Sequence, residues 1–396
     1  MTVYYRLSGT AINGVDYTTN SGVVTVPGNP GYADVIIHPI QDDLIEFDEP
    51  VTLTILQTNT YLIQPGFSSA TIFVRDNFPT NIFLPVVTNL NDPSGLDYHA
   101  PSNSLIVGLA GFPDPTNNFL SVDSNGVVAG WTGIAELAEE VKLATVKKTQ
   151  NGFTNGDIYF NGQSSGEVGR ISWTGTNWNT NWVTLTGEPF RVQSGFYVDQ
   201  TGVFSNSLIA VSGVSPSEGA NVWQVDAAGN ATNLVSLPSL HCEGVITLTN
   251  DVPRWGPWAG KILTGAESEF DGTTNLFAID TNGAVARFDL GISAESFNLI
   301  QTNQDLYLLD ESEDGGQIPG QVLKLSHTLL KDYVGDLLIT QGGRYAPPPE
   351  LFIVHWDGAR FVLRRIPVRY YSKETHLPDE LESSTFAPIN LPPLSP

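Results

Sequence analysis

The stretch "VWQVDAAGNAT", residues 222–232, decides the fold. Val222, Trp223 and Val225 form a β-rich run that ends at Asp226, and Gly229 closes a short turn before a second run begins. Two β-rich runs joined by an Asp/Asn-Gly turn make a hairpin, because such turns need positive φ angles that Gly and Asn tolerate. The pattern recurs as "FLSVDSNGVV" (119–128), "RISWTGTNW" (170–178), "LFAIDTNGAV" (276–285) and "FIVHWDGARFV" (352–362). Gly126, Gly175, Gly229 and Gly283 follow one another at about the length of a propeller blade. The longer gap to Gly358 leaves room for a degenerate copy around "GQVLKLSHTLL". The expectation is an all-β chain with a β-propeller of about six blades, each of about four strands.

Upstream of these copies the pattern changes. "TVYYRLSG", "GVVTVPG", "ADVIIHPI", "PVTLTIL" and "SATIFVRD" are short runs of period two between turn residues. They predict an antiparallel β-sandwich, although they are fewer than the roughly seven strands a closed one needs. The expected division is a sandwich over residues 1–77, a linker over 78–84, the propeller over 85–368 and a Pro-rich tail over 369–396. Within the propeller, "AELAEEVKLATV" (135–146) starts with helix formers and predicts a short helix capping a blade. The acidic tail "HLPDELESSTFAPINLPPLSP" reads as an extended linker.

Composition narrows the function. With 42 acidic against 18 basic residues, the formal net charge is −24, which repels polyphosphate and argues against nucleic-acid binding. Cys242 is the single cysteine, so an intramolecular disulfide cannot form. No run of about 18 apolar residues is present to span a membrane as a helix. "MTVYYRLSGT" lacks the basic start and apolar middle of a signal peptide, and the expectation is that an export signal lies outside this sequence.

"SGTAINGVDY", "QDDLIEFDEPVTLTI" and "SATIFVRDN", in that order, resemble the later part of a Calx-beta domain, over roughly residues 2–77. The resemblance implies a calcium site at one end of a sandwich, with Asp16, Asp42, Asp43, Glu46 and Asp76 as ligands. A hard cation that takes about 6–8 oxygens suits carboxylates gathered from several loops. Two departures stand against the pattern: Asp76 is followed by Asn77 and Phe78 rather than by acids, and the family's opening strands are missing. Asp48 and Glu49 read as solvated strand-edge charges. A sandwich short of its opening strands exposes an edge that another copy fills by strand addition, giving a homo-oligomer or filament; a trimmed N-terminus is the plainer account.

"HCEGVITLTNDVPRWGPWAGKILTGAESE" (241–269) resembles, more loosely, NHL-like and gluconolactonase-like propellers. That resemblance implies a metal-binding Glu243 at the channel mouth, with His241 as a general base beside it. Asp97, Asp157, Glu267, Glu295 and Asp336 are expected near the axis on the same analogy; the other reading has these acids bonding strand-end amides. Cys242 reads as a small core residue. Trp173, Trp178 and Trp182, among Asn and Thr, suit glycan stacking or wedging between blades. The expected function is an extracellular or cell-surface structural, adhesive or filament-forming bacterial protein stabilised by calcium. The alternative is a calcium-dependent lactonase- or esterase-like hydrolase, and fold alone does not choose between the two.

Overall fold

A computed structural model describes the chain except for residues 42–47, 65, 76–81, 110–116, 136, 138–139, 214–218, 268–273, 312–318, 343–348, 369–379 and 395–396. The described residues form seven four-stranded sheets. The chain divides into two compact units: residues 1–79 with 361–367, and residues 80–360 with 368–396.

Among its described residues the first unit holds one antiparallel sheet, in the order Val23–Thr25, Thr2–Gly9, Glu49–Ile55, Ser69–Val74. Alternation puts one apolar set on a single face. Leu7 pairs with Leu53, Tyr5 with Ile55, and Val51 with Ile72. Residues from the loop after the first strand cover part of that face: Ala11 and Tyr17 are buried with Val51, and Ile37 packs beside them. Ile72, on the edge strand, stays half-exposed. Asp48 and Glu49 are not the solvated charges expected. Asp48 is 1% exposed and lies 3.0 Å from Arg365 and 3.7 Å from Arg75, while Glu49 pairs with Arg364. Burying a carboxylate without a cation is costly, so arginines distant in sequence complete the strand start.

The second unit is a six-bladed propeller. Its innermost strands are Pro93–His99, Leu143–Thr145, Gly195–Val198, Cys242–Thr247, Ala294–Leu299 and Leu381–Ala387, one from each sheet. In the first four blades the strands run outward in chain order. Five of the six sheets end in the outer hairpins expected from the repeated Asp/Asn-Gly pattern. Their turns share one device: an Asp at the end of the third strand receives two backbone N–H groups. Asn125 and Val127 donate to Asp123, Ala228 and Asn230 to Asp226, Asn282 and Ala284 to Asp280, and Ala359 and Arg360 to Asp357, all at 2.8–3.0 Å. Ser172 takes that place in the fifth copy, accepting from Asn177 N–H. Hydrogen bonds hold each Asp carboxyl below its ordinary range: the Asn230 side-chain amide first of all at Asp226, and the backbone N–H groups at Asp123, Asp280 and Asp357.

The last two blades are interleaved. After the innermost strand Ala294–Leu299 the chain leaves that sheet, makes Asp305–Asp310 and Gly320–Leu325 of the closing blade, and then returns with Leu337–Gln341 and Glu350–Trp356. The closing blade takes its innermost strand from Leu381–Ala387 and its outermost from Phe83–Leu90, so segments from both ends of the unit complete one sheet.

Two expectations fail here. The described part of the tail, residues 380–394, is not a linker: Leu381, Phe386, Ala387, Ile389 and Leu391 are buried, and this apolar set outweighs the Pro and acidic residues around it. Nor do the described residues of 135–146 form a helix. Leu137 N–H donates to Asn118 Oδ1 at 3.1 Å and Val141 N–H to Ser94 Oγ at 2.7 Å, so side chains elsewhere take the donors that a helix would use. The segment ends in an innermost strand. Cys242 is fully buried in apolar surroundings, as expected.

Candidate functional site

At the start of each innermost strand, or immediately before it, lies a buried polar residue: Ser94, Lys142, Ser194, Glu243, Glu295 and Glu382, all at most 7% exposed. Three of them precede a glycine, and the glycines explain how so many strand starts converge. A Cβ on Gly95 would stand 2.2 Å from Val141 O, and one on Gly244 (φ +61°) 2.5 Å from Glu295 O. Only glycine permits backbones that close. Side chains then stitch neighbouring innermost strands together. Thr145 N–H donates to Asp97 Oδ2 at 2.7 Å, Thr385 Oγ1 to Asp97 Oδ1 at 2.8 Å, and Asn298 Nδ2 to Ser384 Oγ at 2.7 Å.

The strand starts bring a charge cluster together. Lys142 Nζ lies 2.5 Å from Glu382 Oε2, 3.5 Å from Glu243 Oε2 and 3.7 Å from Glu140 Oε2. His241 stands between two carboxylates: its Nε2 is 3.0 Å from Glu243 Oε1 and its Nδ1 is 2.6 Å from Glu267 Oε2. Burial disfavours the imidazolium, but the hydrogen bonds and charges of Glu243 and Glu267 outweigh it and raise the His241 pKa to about 10. A ring protonated at neutral pH has no lone pair to accept another proton, so His241 does not fill the expected role of general base. Burial, with the charges of Glu267, Glu382 and Glu243 adding to it, pushes the Glu295 carboxyl well above its ordinary range, against the opposing pull of Lys142. Burial also raises Glu243, less the effect of Lys142 and His241.

Above the cluster lies a cavity of about 540 Å³ along the propeller axis, lined from all six innermost strands. Lys142, Glu295 and Glu382 reach it at one end, Phe196 and Phe297 form part of its wall, and Asp97 and Lys147 pair at the other end. The hydroxyl of Thr145, 3% exposed, borders it without a hydrogen-bond partner among the described residues.

The expected site residues divide as follows. Glu243, Glu267 and Glu295 come together, and Asp97 sits on an innermost strand. Asp157 and Asp336 precede second strands instead; Asp157 pairs with Arg170 at 2.6 Å and Asp336 with His355 at 2.9 Å. Asp16 is buried and accepts from Ile12 N–H at 2.5 Å, and Asp42, Asp43, Glu46 and Asp76 lie outside the described residues. Trp173 and Trp178 are exposed on an outer hairpin, and Trp182 packs on Tyr159. Lys142 and Glu382 were missed, because one lay in a stretch read as helix and the other in one read as linker. The strand-like "KLATV" and "LESSTFA" were the available signals.

No protein-family model matches the chain, and no curated protein matches it. Solved structures do. The chain is similar to the soluble aldose sugar dehydrogenase of Escherichia coli, with 10% identity over 61% of this chain and 98% of that one and a TM-score of 0.34. It is also similar to a quinoprotein alcohol dehydrogenase-like protein of Bacteroides thetaiotaomicron, with 10% identity over 98% and 90% of the two chains and a TM-score of 0.34. A Bombyx mori β-fructofuranosidase aligns over 76% and 88% of the two chains, at 9% identity and a TM-score of 0.37. Likenesses this distant carry no functional argument. The propeller rests on its own sheet topology.

Proposed function

We propose that the axial cavity is the working site of the propeller and that it hydrolyses small esters or lactones. One observation carries the reading: Glu295, a buried carboxyl pushed well above its ordinary range by burial and the neighbouring carboxylates, shares one end of the axial cavity with the Lys142–Glu382 salt bridge. Carboxyl groups driven to different protonation states by their surroundings are the means by which one site supplies both an acid and a base. Glu382 takes a proton from water as its oxygen bonds to the substrate carbonyl carbon, and the Lys142 ammonium stabilises the negative charge on the carbonyl oxygen. As the carbon–oxygen bond to the leaving group breaks, Glu295 gives its proton to the departing alkoxide. Proton exchange between the two carboxyls restores the starting state.

The test is a panel of lactones and aryl esters with the wild type and Glu295→Gln. Turnover by the wild type, reduced about 10²–10⁴-fold in the variant, is expected. A wild type inert to every substrate in the panel would end this reading.

For the first unit we propose the calcium-stabilised extracellular or cell-surface role that its Calx-beta resemblance implies. What supports it is the edge strand Ser69–Val74, exposed along most of its length with Ile72 half-open, which suits strand addition by a second copy. Calorimetric titration of calcium into the wild type and Asp16→Asn, with light scattering for assembly, tests both parts.

A further inference from the structure

We propose that Lys142 is the built-in cation of the axial site, standing where a metal-dependent propeller would hold its ion, so that the site works without a bound dication. The proposal rests on the axial cavity being the working site. It replaces the expectation that Glu243 is a calcium ligand there.

The donor set carries the argument. The Lys142 ammonium is already 2.5 Å from Glu382 and 3.5 Å from Glu243, the two innermost-strand carboxylates that a shared ion would bridge. Calcium takes six to eight oxygens at 2.3–2.6 Å. An ion bridging those two carboxylates would stand against the ammonium, which offers it no lone pair and repels it. Two groups among the described residues bring candidate ligand atoms within 4.8 Å of one another: Glu311, Glu380 and Glu382, whose third member already pairs with Lys142, and His241, Glu243 and Glu267. In the second group the arrangement differs again. Its geometry is that of an ion pair rather than a metal cage, because each ring nitrogen faces its own carboxylate. Neither nitrogen is left to face a common centre with both. Lys142 also borders the cavity, so the charge that holds the carboxylates together is presented to a ligand as well. It supplies what a Lewis acid otherwise would: fixed positive charge beside a developing oxyanion.

The experiment compares calcium binding by calorimetry for the wild type, Glu243→Gln, Lys142→Met and the double variant Lys142→Met/Glu243→Gln. Circular dichroism and thermal melting confirm folding, and Lys142→Arg serves as the charge-conserving control. The expected result is that Glu243→Gln binds as much calcium as the wild type. Lys142→Met takes up one further equivalent and melts higher in calcium than in chelator; the double variant loses both properties, and Lys142→Arg gains neither. The proposal is overturned if Glu243→Gln removes one calcium from the wild type, or if folded Lys142→Met binds none beyond the wild-type amount. None of these readouts involves a substrate, so failure of the hydrolase reading shows separately, as absence of turnover.

Discussion

Raising the pH tests the ion-paired histidine directly. His241 has a folded-state pKa of about 10 against an ordinary value near 6.5. A group whose pKa is raised by folding adds stability that is fully present below its unfolded value. That stability drains away as pH climbs to the folded value. The window is therefore about pH 6.5 to 10, and the slope within it approaches about 1.4 kcal/mol per pH unit, for at most about 5 kcal/mol in total. His241→Gln keeps an amide that bonds one carboxylate but removes the titrating charge. Guanidinium denaturation of both proteins at half-unit pH steps from 6 to 10.5 isolates the effect as a difference between two curves. The wild-type advantage should be largest at pH 6 and shrink steadily to a small residue near pH 10. Imidazole resonances followed by NMR should include one of the six histidines that stays protonated at pH 8. A stability difference that does not vary with pH, or six rings all titrating near 6.5, would refute the buried ion-pair assignment.

Three further outcomes are expected. Asp199 is fully buried and accepts from the N–H groups of Thr201, Phe204 and Asn206 and from the hydroxyls of Thr201 and Thr247; Asp199→Ala should cost about 3 kcal/mol or more in chemical denaturation, since buried donors lose a charged acceptor. Leu391→Ala should cost about 2–5 kcal/mol, because this fully buried side chain sits in a segment that a linker reading would leave neutral. The hairpin carboxyls of Asp123, Asp226, Asp280 and Asp357 are held below their ordinary range, so they support folding above that range and the support is lost as pH falls through their folded values. Carboxyl NMR titration should find all four below free aspartate, and an ordinary value at Asp280 would contradict its two backbone bonds.

The propeller was readable because its outer hairpins are local. Asp226 and Gly229 carry a whole turn within four residues, and similar turns mark five blades; the sixth, whose outer strand is Phe83–Leu90, shows only as the long gap before Gly358. The axial site was legible only in part. Glu243 and Glu295 were expected near the axis from the resemblance to lactonase-like propellers, but Asp157 and Asp336, expected there on the same analogy, serve second strands. Which strand is innermost depends on sheet order, which spans distant segments. Lys142 and Glu382 lie some 240 residues apart in the chain and meet only when the ring closes. Their own neighbourhoods resemble a helix start and a solvated tail, and short strands of three and seven residues carry little periodicity to correct that impression. The pairing of Asp48 with Arg365 was hidden in the same way, by separation along the chain.

The interleaving of the last two blades constrains how this chain acquires its structure. The first four blades contain only strands that follow one another, so each can assemble as it leaves the ribosome. The fifth cannot finish until the chain has made and returned from two strands of the sixth, and the sixth waits for Leu381–Ala387 while holding Phe83–Leu90 from long before. Loop closures of that span are slow, and until they occur the nascent ring presents bare strand edges to its surroundings. Folding of this protein is thus gated by its last innermost strand, and a ribosome stalled ahead of Leu381 would display an open propeller prone to aggregation, with Glu382, the carboxylate nearest Lys142, still to be synthesised.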